Sequence, residues 1–165
     1  MGSNTELIKQ LRERTSAGVM DCRNALEESN GDIDKAENIL LEKGIASASK
    51  KLGRDTNQGI IETYIHSGGR IGSIVEMNCE TDFVARTEEF KKLSHDIAMQ
   101  IAAMAPKAVS SETHPDLELS KEEYLINQPF IKDPSKTIQD LINENVGKLG
   151  ENIKIRRFER FSLGE

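Results

Sequence analysis

Two runs of alternating apolar and polar residues meet at Gly68-Gly69, and a helix cannot absorb them. Ile61, Thr63 and Ile65 alternate with Glu62, Tyr64 and His66. Beyond Ser67-Gly68-Gly69-Arg70 the alternation resumes with Ile71, Ser73, Val75, Met77 and Cys79. Period two on both sides of a Gly-Gly turn predicts a β-hairpin. An isolated hairpin is marginal in water, so the chain must supply cover for it. The next segment does so. Thr87-Glu88-Glu89 suits a helix N-terminus. Phe90, Leu93, Ile97, Ile101 and Met104 then recur at three- and four-residue spacing, one apolar stripe that ends before Pro106. The expectation is an α+β fold with a long helix laid across an antiparallel sheet.

Before Gly59 the period is helical. Leu7, Ile8 and Leu11 share a face, and Thr15-Ser16-Ala17-Gly18 stops the first helix. Met20, Cys22, Ala25 and Leu26 carry the second, closed by Asn30-Gly31. Asp32 caps a third, running through Ile33, Ala36, Ile39 and Leu40 to Gly44. Ala46 to Gly53 reads as a helical or flexible lead into the next unit. The predicted division is a small three-helix domain, 1–53, with its own apolar face, and an α+β domain, 54–165.

Downstream, 106–120 reads as loop. Ser120-Lys121-Glu122-Glu123 has the pattern of a capping box opening a short helix through Leu125 and Ile126. Pro129 and Pro134 forbid a regular helix over the next stretch. Thr137 caps a helix carrying Ile138, Leu141, Ile142 and Val146. The last strand spans Asn152 to Leu163. Its apolar parity switches between Ile155 and Phe158, which predicts a bulge or two covered faces. The sheet should have at least three strands.

A net charge of −6 argues against general nucleic-acid binding. The basic cluster Lys154, Arg156, Arg157 and Arg160 reads as a strand's solvated face. No apolar run is long enough to span a membrane, and the N-terminus lacks a signal-peptide core. Met1-Gly2 opens a lipidation motif, but Glu6 stands where Ser or Thr is required. A cytoplasmic location is the expectation. Cys22 and Cys79 lie among apolar residues and read as core thiols. There is no phosphate loop, zinc spacing or nucleophile elbow, so an enzyme is the weakest reading and no cofactor or metal is implied. His66 ends a strand beside a glycine turn; His95 falls on the wet side of the long helix.

Glu80-Thr81-Asp82-Phe83-Val84 joins the hairpin to the long helix. One reading is a helix-entry turn with Phe83 as a buried staple, the commoner device. The other is a wedge, an exposed aromatic with a carboxylate beside it, made to enter a partner's pocket. These residues alone leave both open.

Several stretches resemble the elongation factor Ts family. They are Leu11 to Thr15 with Ala17 to Cys22; Asn30-Gly31-Asp32; Glu76-Met77-Asn78-Cys79-Glu80-Thr81-Asp82-Phe83-Val84-Ala85; Gln128 to Thr137; and Gly150 to Arg157. They occur in order over nearly the whole chain. The resemblance implies a ubiquitin-associated-like three-helix domain joined to an α+β core, and catalysis of GDP release from elongation factor Tu. It implies that Thr81, Asp82, Phe83 and Val84 form the segment that enters the GTPase and dislodges its Mg²⁺. It further implies that His66 presses on another part of the GTPase, and that Met20, Arg23 and Lys51 grip its nucleotide domain. Longer members carry two core subdomains and this chain one. A homodimer and a 2:2 complex are therefore expected, with no nucleic acid or membrane contacted. Many members also carry a helical insertion after the long helix; here only about twenty residues lie between Pro106 and Gln128. The competing reading is an adaptor, a three-helix peptide- or ubiquitin-like-binding module dimerised by its α+β part. An exposed Asp82-Phe83 pair discriminates, since an adaptor has no use for one.

Overall fold

The structure, a computed structural model, describes residues 4–15 and 17–165. Met1-Gly2 and Ser16 lie outside the described residues. In chain order the elements are α1 (Asn4–Thr15), α2 (Val19–Glu28), α3 (Ile33–Lys51), β1 (Gln58–Ile65), β2 (Ile71–Cys79), α4 (Asp82–Ala85), α5 (Glu88–Met104), β3 (Pro129–Phe130), β4 (Asp133–Thr137), α6 (Ile138–Leu149) and β5 (Ile153–Ser162). This is the expected α+β class. None of the described helices is long and apolar enough to cross a membrane.

Helices α1 to α3 close on Leu11, Cys22, Ala25, Leu26 and Ala36. Asn30 and Gly31 turn the chain at φ 55° and 82°. Asp32 then caps α3 by accepting from the amides of Asp34 and Lys35. One expectation needs correction: α3 does not end at Gly44 but passes through it to Lys51. The glycine is a contact rather than a stop. A Cβ on Gly147 of α6 would lie 3.2 Å from the Gly44 Cα, whereas one on Gly44 would only touch the Asn143 carbonyl at 3.7 Å, so it is the bare Gly147 that lets the two helices cross closely at Gly44. Four residues on, Ala48 is buried in the larger core. The apolar faces of the two halves are therefore not separate, because α3 serves both.

The sheet is antiparallel in the order β1-β2-β5. Gly68 and Gly69, at φ 90° and 67°, supply the hairpin turn. The parity switch in β5 is a bulge. Met77 pairs with Ile155 and Glu76 with Arg157, leaving Arg156 unmatched. This keeps Ile153, Ile155 and Phe158 on the helix side with Val75 and Met77. The stripe Phe90, Leu93, Ile97 and Ile101 of α5 is buried against them, while Met104 at its end is exposed. In β1 the helix side carries Ile60, Glu62 and Tyr64, so Ile61 and Ile65 point to the other face and remain exposed.

The stretch after α5 is held by amides. Gln100 donates to Gln128 and to the Pro129 carbonyl, and accepts from the Ile131 amide. Gln128 donates to the Met104 and Glu122 carbonyls. This pins the β3–β4 ribbon to α5. The Glu123 carboxylate accepts from the Ser120 amide and hydroxyl, and the expected short helix is a 3₁₀ turn, Lys121–Glu123, followed by a second at Leu125–Asn127. Thr137 caps α6 in a full box with Asp140.

Candidate functional site

At the end of β2 the chain makes one helical turn, α4, before α5 begins. Thr81 caps α4 by accepting from the Val84 amide, and Thr87 caps α5 by accepting from that of Phe90. The two caps fix a short spur between sheet and helix. Val84 packs against the core and Ala85 is buried. Phe83 points the other way and is 80% exposed. The turn is thus a helix entry, but Phe83 is no staple within it. Asp82 is half-exposed, with its carboxylate 2.9 Å from Arg86. The spur tip therefore offers an aromatic ring beside a paired, wet carboxylate.

The other nominated residues are spread over the surface. Met20, 60% exposed, and Arg23 lie on α2, where Arg23 pairs with Glu27 one turn on. Lys51 ends α3 and donates to Ser47. Its end of α3 is near the spur, because Asn152 donates to the carbonyls of Leu52 and Arg54, and Arg54 faces Glu80. His66 is exposed at the opposite end of the hairpin, its Nδ1 3.1 Å from the Tyr64 hydroxyl. With β1 spanning 8 residues, some ~25 Å of strand separates it from the spur's end of the sheet. Thr81 to Val84 and Lys51 are brought to one end; His66 is not.

Arg160 departs from the expected solvated face. It is largely buried, and its Nε donates to the Ala102 carbonyl in the last turn of α5. Lys154, Arg156 and Arg157 are exposed. Both thiols are buried. Burial, with Glu151 nearby, pushes the Cys79 thiol up to about 11, so it stays protonated and donates to the Thr81 carbonyl.

Three residues escaped the sequence reading. Val19 is exposed beside Met20; two adjacent apolar residues opening a helix after Gly18 were a usable signal. Arg86 pairs with Asp82, an i,i+4 spacing visible in sequence. Glu151 accepts from the backbone of Glu80 and Thr81. Its partners are some seventy residues away, and nothing local marks it.

The family model described as Elongation factor TS matches residues 3–125. The chain is 50% identical to the elongation factor Ts of Caldanaerobacter subterraneus over 194 aligned positions, covering 98% of this chain and 97% of that protein. Against those of Carboxydothermus hydrogenoformans and Coprothermobacter proteolyticus the identities are 48% and 47%; the alignments cover 98% and 100% of this chain, and 89% and 100% of those proteins. An alignment of 194 positions on a chain of 165 leaves at least 29 positions of the first relative without a counterpart here.

Proposed function

The chain belongs to the elongation factor Ts family, whose role is nucleotide exchange in translation elongation, and we propose that it frees GDP from elongation factor Tu with the spur at Phe83. GDP is held in such a GTPase by phosphate-loop amides and Mg²⁺. Phe83, with Asp82 beside it, enters between helices of the nucleotide domain and shifts the elements that hold the metal. No covalent step is required, and the protein is an exchange factor rather than an enzyme. The observation that carries this is the exposure of Phe83 on a capped, anchored turn. A free aromatic at a rigid site has the character of an interface anchor.

Residues 1–53 act as the grip, through Met20, Arg23 and Lys51, and 54–165 as the exchange and dimerisation part. Two copies associate through the sheet face opposite α5, where Ile61, Ile65, Ile74 and Phe161 are exposed. The distance of His66 from the spur along the sheet supports contacts on one GTPase from different protomers, in a 2:2 complex in the cytoplasm. Tight binding to the empty GTPase and weak binding to the loaded one is a coupling free energy, so GDP weakens this protein's binding by the same factor. Release of a fluorescent GDP analogue from elongation factor Tu, with and without this protein, is the direct test. An unaccelerated release overturns the proposal.

A further inference from the structure

A single turn that buries only Ala85 does not by itself hold an aromatic in a defined direction. Something must brace α4, and the braces converge on one side chain. Glu151 follows Gly150, whose left-handed backbone (φ 76°) ends α6 and turns the chain toward β2. Its Oε2 accepts from the amides of Glu80 and Thr81, at 3.1 and 3.0 Å. Its Oε1 accepts from the Thr81 hydroxyl at 2.6 Å. Thr81 is the residue that caps α4, so the carboxylate holds the cap itself.

The contact is reciprocal. The Glu80 carboxylate accepts from the Asn152 amide at 2.7 Å, so segments 80–81 and 151–152 are joined crosswise. The Asn152 side chain, buried, donates to the carbonyls of Leu52 and Arg54 in the segment leaving α3. The Cys79 thiol closes the far side on the Thr81 carbonyl. The spur, the start of β5 and the exit of the helical bundle therefore share one knot. Hydrogen bonds to a carboxylate are the stronger kind, and their geometry is directional.

We propose that Glu151 is a positioning residue for nucleotide exchange, holding the α4 turn so that Phe83 meets the GTPase already oriented. This rests on the reading of Phe83 given above. A braced anchor enters its pocket without having to be ordered first, whereas a loose one must be ordered on binding. Glu151 itself touches neither GTPase nor nucleotide, so removing it should lower the rate of release at saturation rather than weaken the grip.

The test uses Glu151→Ala, Glu151→Gln and Phe83→Ala in the full chain, with fluorescent-GDP release from elongation factor Tu followed at varied concentration. Glu151→Ala is expected to lower the maximal release rate about tenfold. The half-saturating concentration should stay within about twofold. Glu151→Gln keeps the side chain's size and one acceptor, and should fall by about threefold. If the alanine variant does not fold, the glutamine variant carries the test. On a Phe83→Ala background neither change should lower release further, because Glu151 acts through Phe83. In protein labelled with 4-fluorophenylalanine, the Phe83 resonance of the free protein should shift in Glu151→Gln while that of Phe90 stays. Full-rate release in both Glu151 variants alongside a crippled Phe83→Ala would overturn this inference and leave the reading of Phe83 standing. Full-rate release in Phe83→Ala would overturn both. An equal further loss on the Phe83→Ala background, or a raised half-saturation at unchanged maximal rate, would place Glu151 in the fold or the grip and overturn the positioning role.

Discussion

Phe83 and Phe161 are the two most exposed phenylalanines among the described residues, at 80% and 69%, and their surroundings are opposite. Phe83 stands on a spur between a threonine cap and an Asp82–Arg86 pair. Phe161 lies in a row across the sheet with Gly72 and Ile65. A Cβ on Gly72 would fall 2.6 Å from the Ile65 Cδ1, so the isoleucine lies over the glycine toward Phe161. Ile74 and Ile61 extend the same face. A solitary ring amid polar groups suits a contact that forms and breaks in every cycle. A contiguous apolar face suits one that stays made, since monomers rarely leave such a face in water.

The largest expected effect breaks the first half of this comparison. Phe83→Ala should cost about 2 kcal/mol or more of interface energy, roughly a 30-fold loss in exchange efficiency. Its thermal melt should stay put, because an exposed ring stabilises its own fold little. Melt and GDP release must be read on the same sample. A collapsed melt would make Phe83 a core residue, and an unchanged release would remove the wedge.

Phe161→Ala addresses the other half. The monomer should remain folded, while the dimer dissociation constant rises about tenfold, an energy between ~1 and 2 kcal/mol. Light scattering on the unmodified protein should show twice the 18.4 kDa chain mass at micromolar concentration. Only the single-chain mass there would mean that the open face is not a dimer surface. Both cysteines are buried, so reductant should not change the result.

How these two rings sit was unevenly legible in the sequence. The hairpin, the α5 stripe, the Asp32 and Thr137 caps and the β5 bulge were all readable, because each is a local period or a local turn residue. The exposure of Phe83 was not, because a helix-entry aromatic faces in or out according to what packs behind it. Here Val84 and Ala85 take the inward positions and leave Phe83 none. Period two could mark Ile61 and Ile65 as sharing a face without saying which face α5 would cover. The extension of α3 past Gly44 was hidden for a related reason. Glycine is a poor helix former, and only its close approach to Gly147 across the sequence shows that packing overrides that preference.

That helix crossing supports a third and smaller prediction, which leaves both rings untouched. Gly147→Leu gains helix propensity in α6 but drives a side chain into α3. The net cost should be about 1 kcal/mol, a few degrees of melting temperature. If α3 sets the direction of the grip, the half-saturating concentration for exchange should rise severalfold while the maximal rate and the dimer mass hold. A fallen maximal rate would show instead that the crossing also orients the spur.

The smallest expected effect is acid sensitivity at the open face. Glu76 lies there on the central strand, and the Arg157 guanidinium donates to it at 2.8 Å, with Arg156 at 3.9 Å. The bond from Arg157 holds the Glu76 carboxyl below its usual range, against a smaller opposing push from burial. A carboxyl whose folded value is depressed adds stability that is complete above its unfolded value, and the addition is lost as pH falls through the folded one. Folding stability should therefore be level from about pH 8 to pH 5, then decline below about pH 4.5. Arg157 is mostly exposed, so salt should screen much of the effect. Glu76→Gln should flatten the acid limb of folding stability while sparing exchange at neutral pH, since the Glu76 side chain pairs with Arg157 and Arg156 and with none of the groups that brace the spur. An acid limb equally steep in that variant would show that the pair contributes nothing to the face, leaving the apolar row of Ile65 and Phe161 to hold it alone.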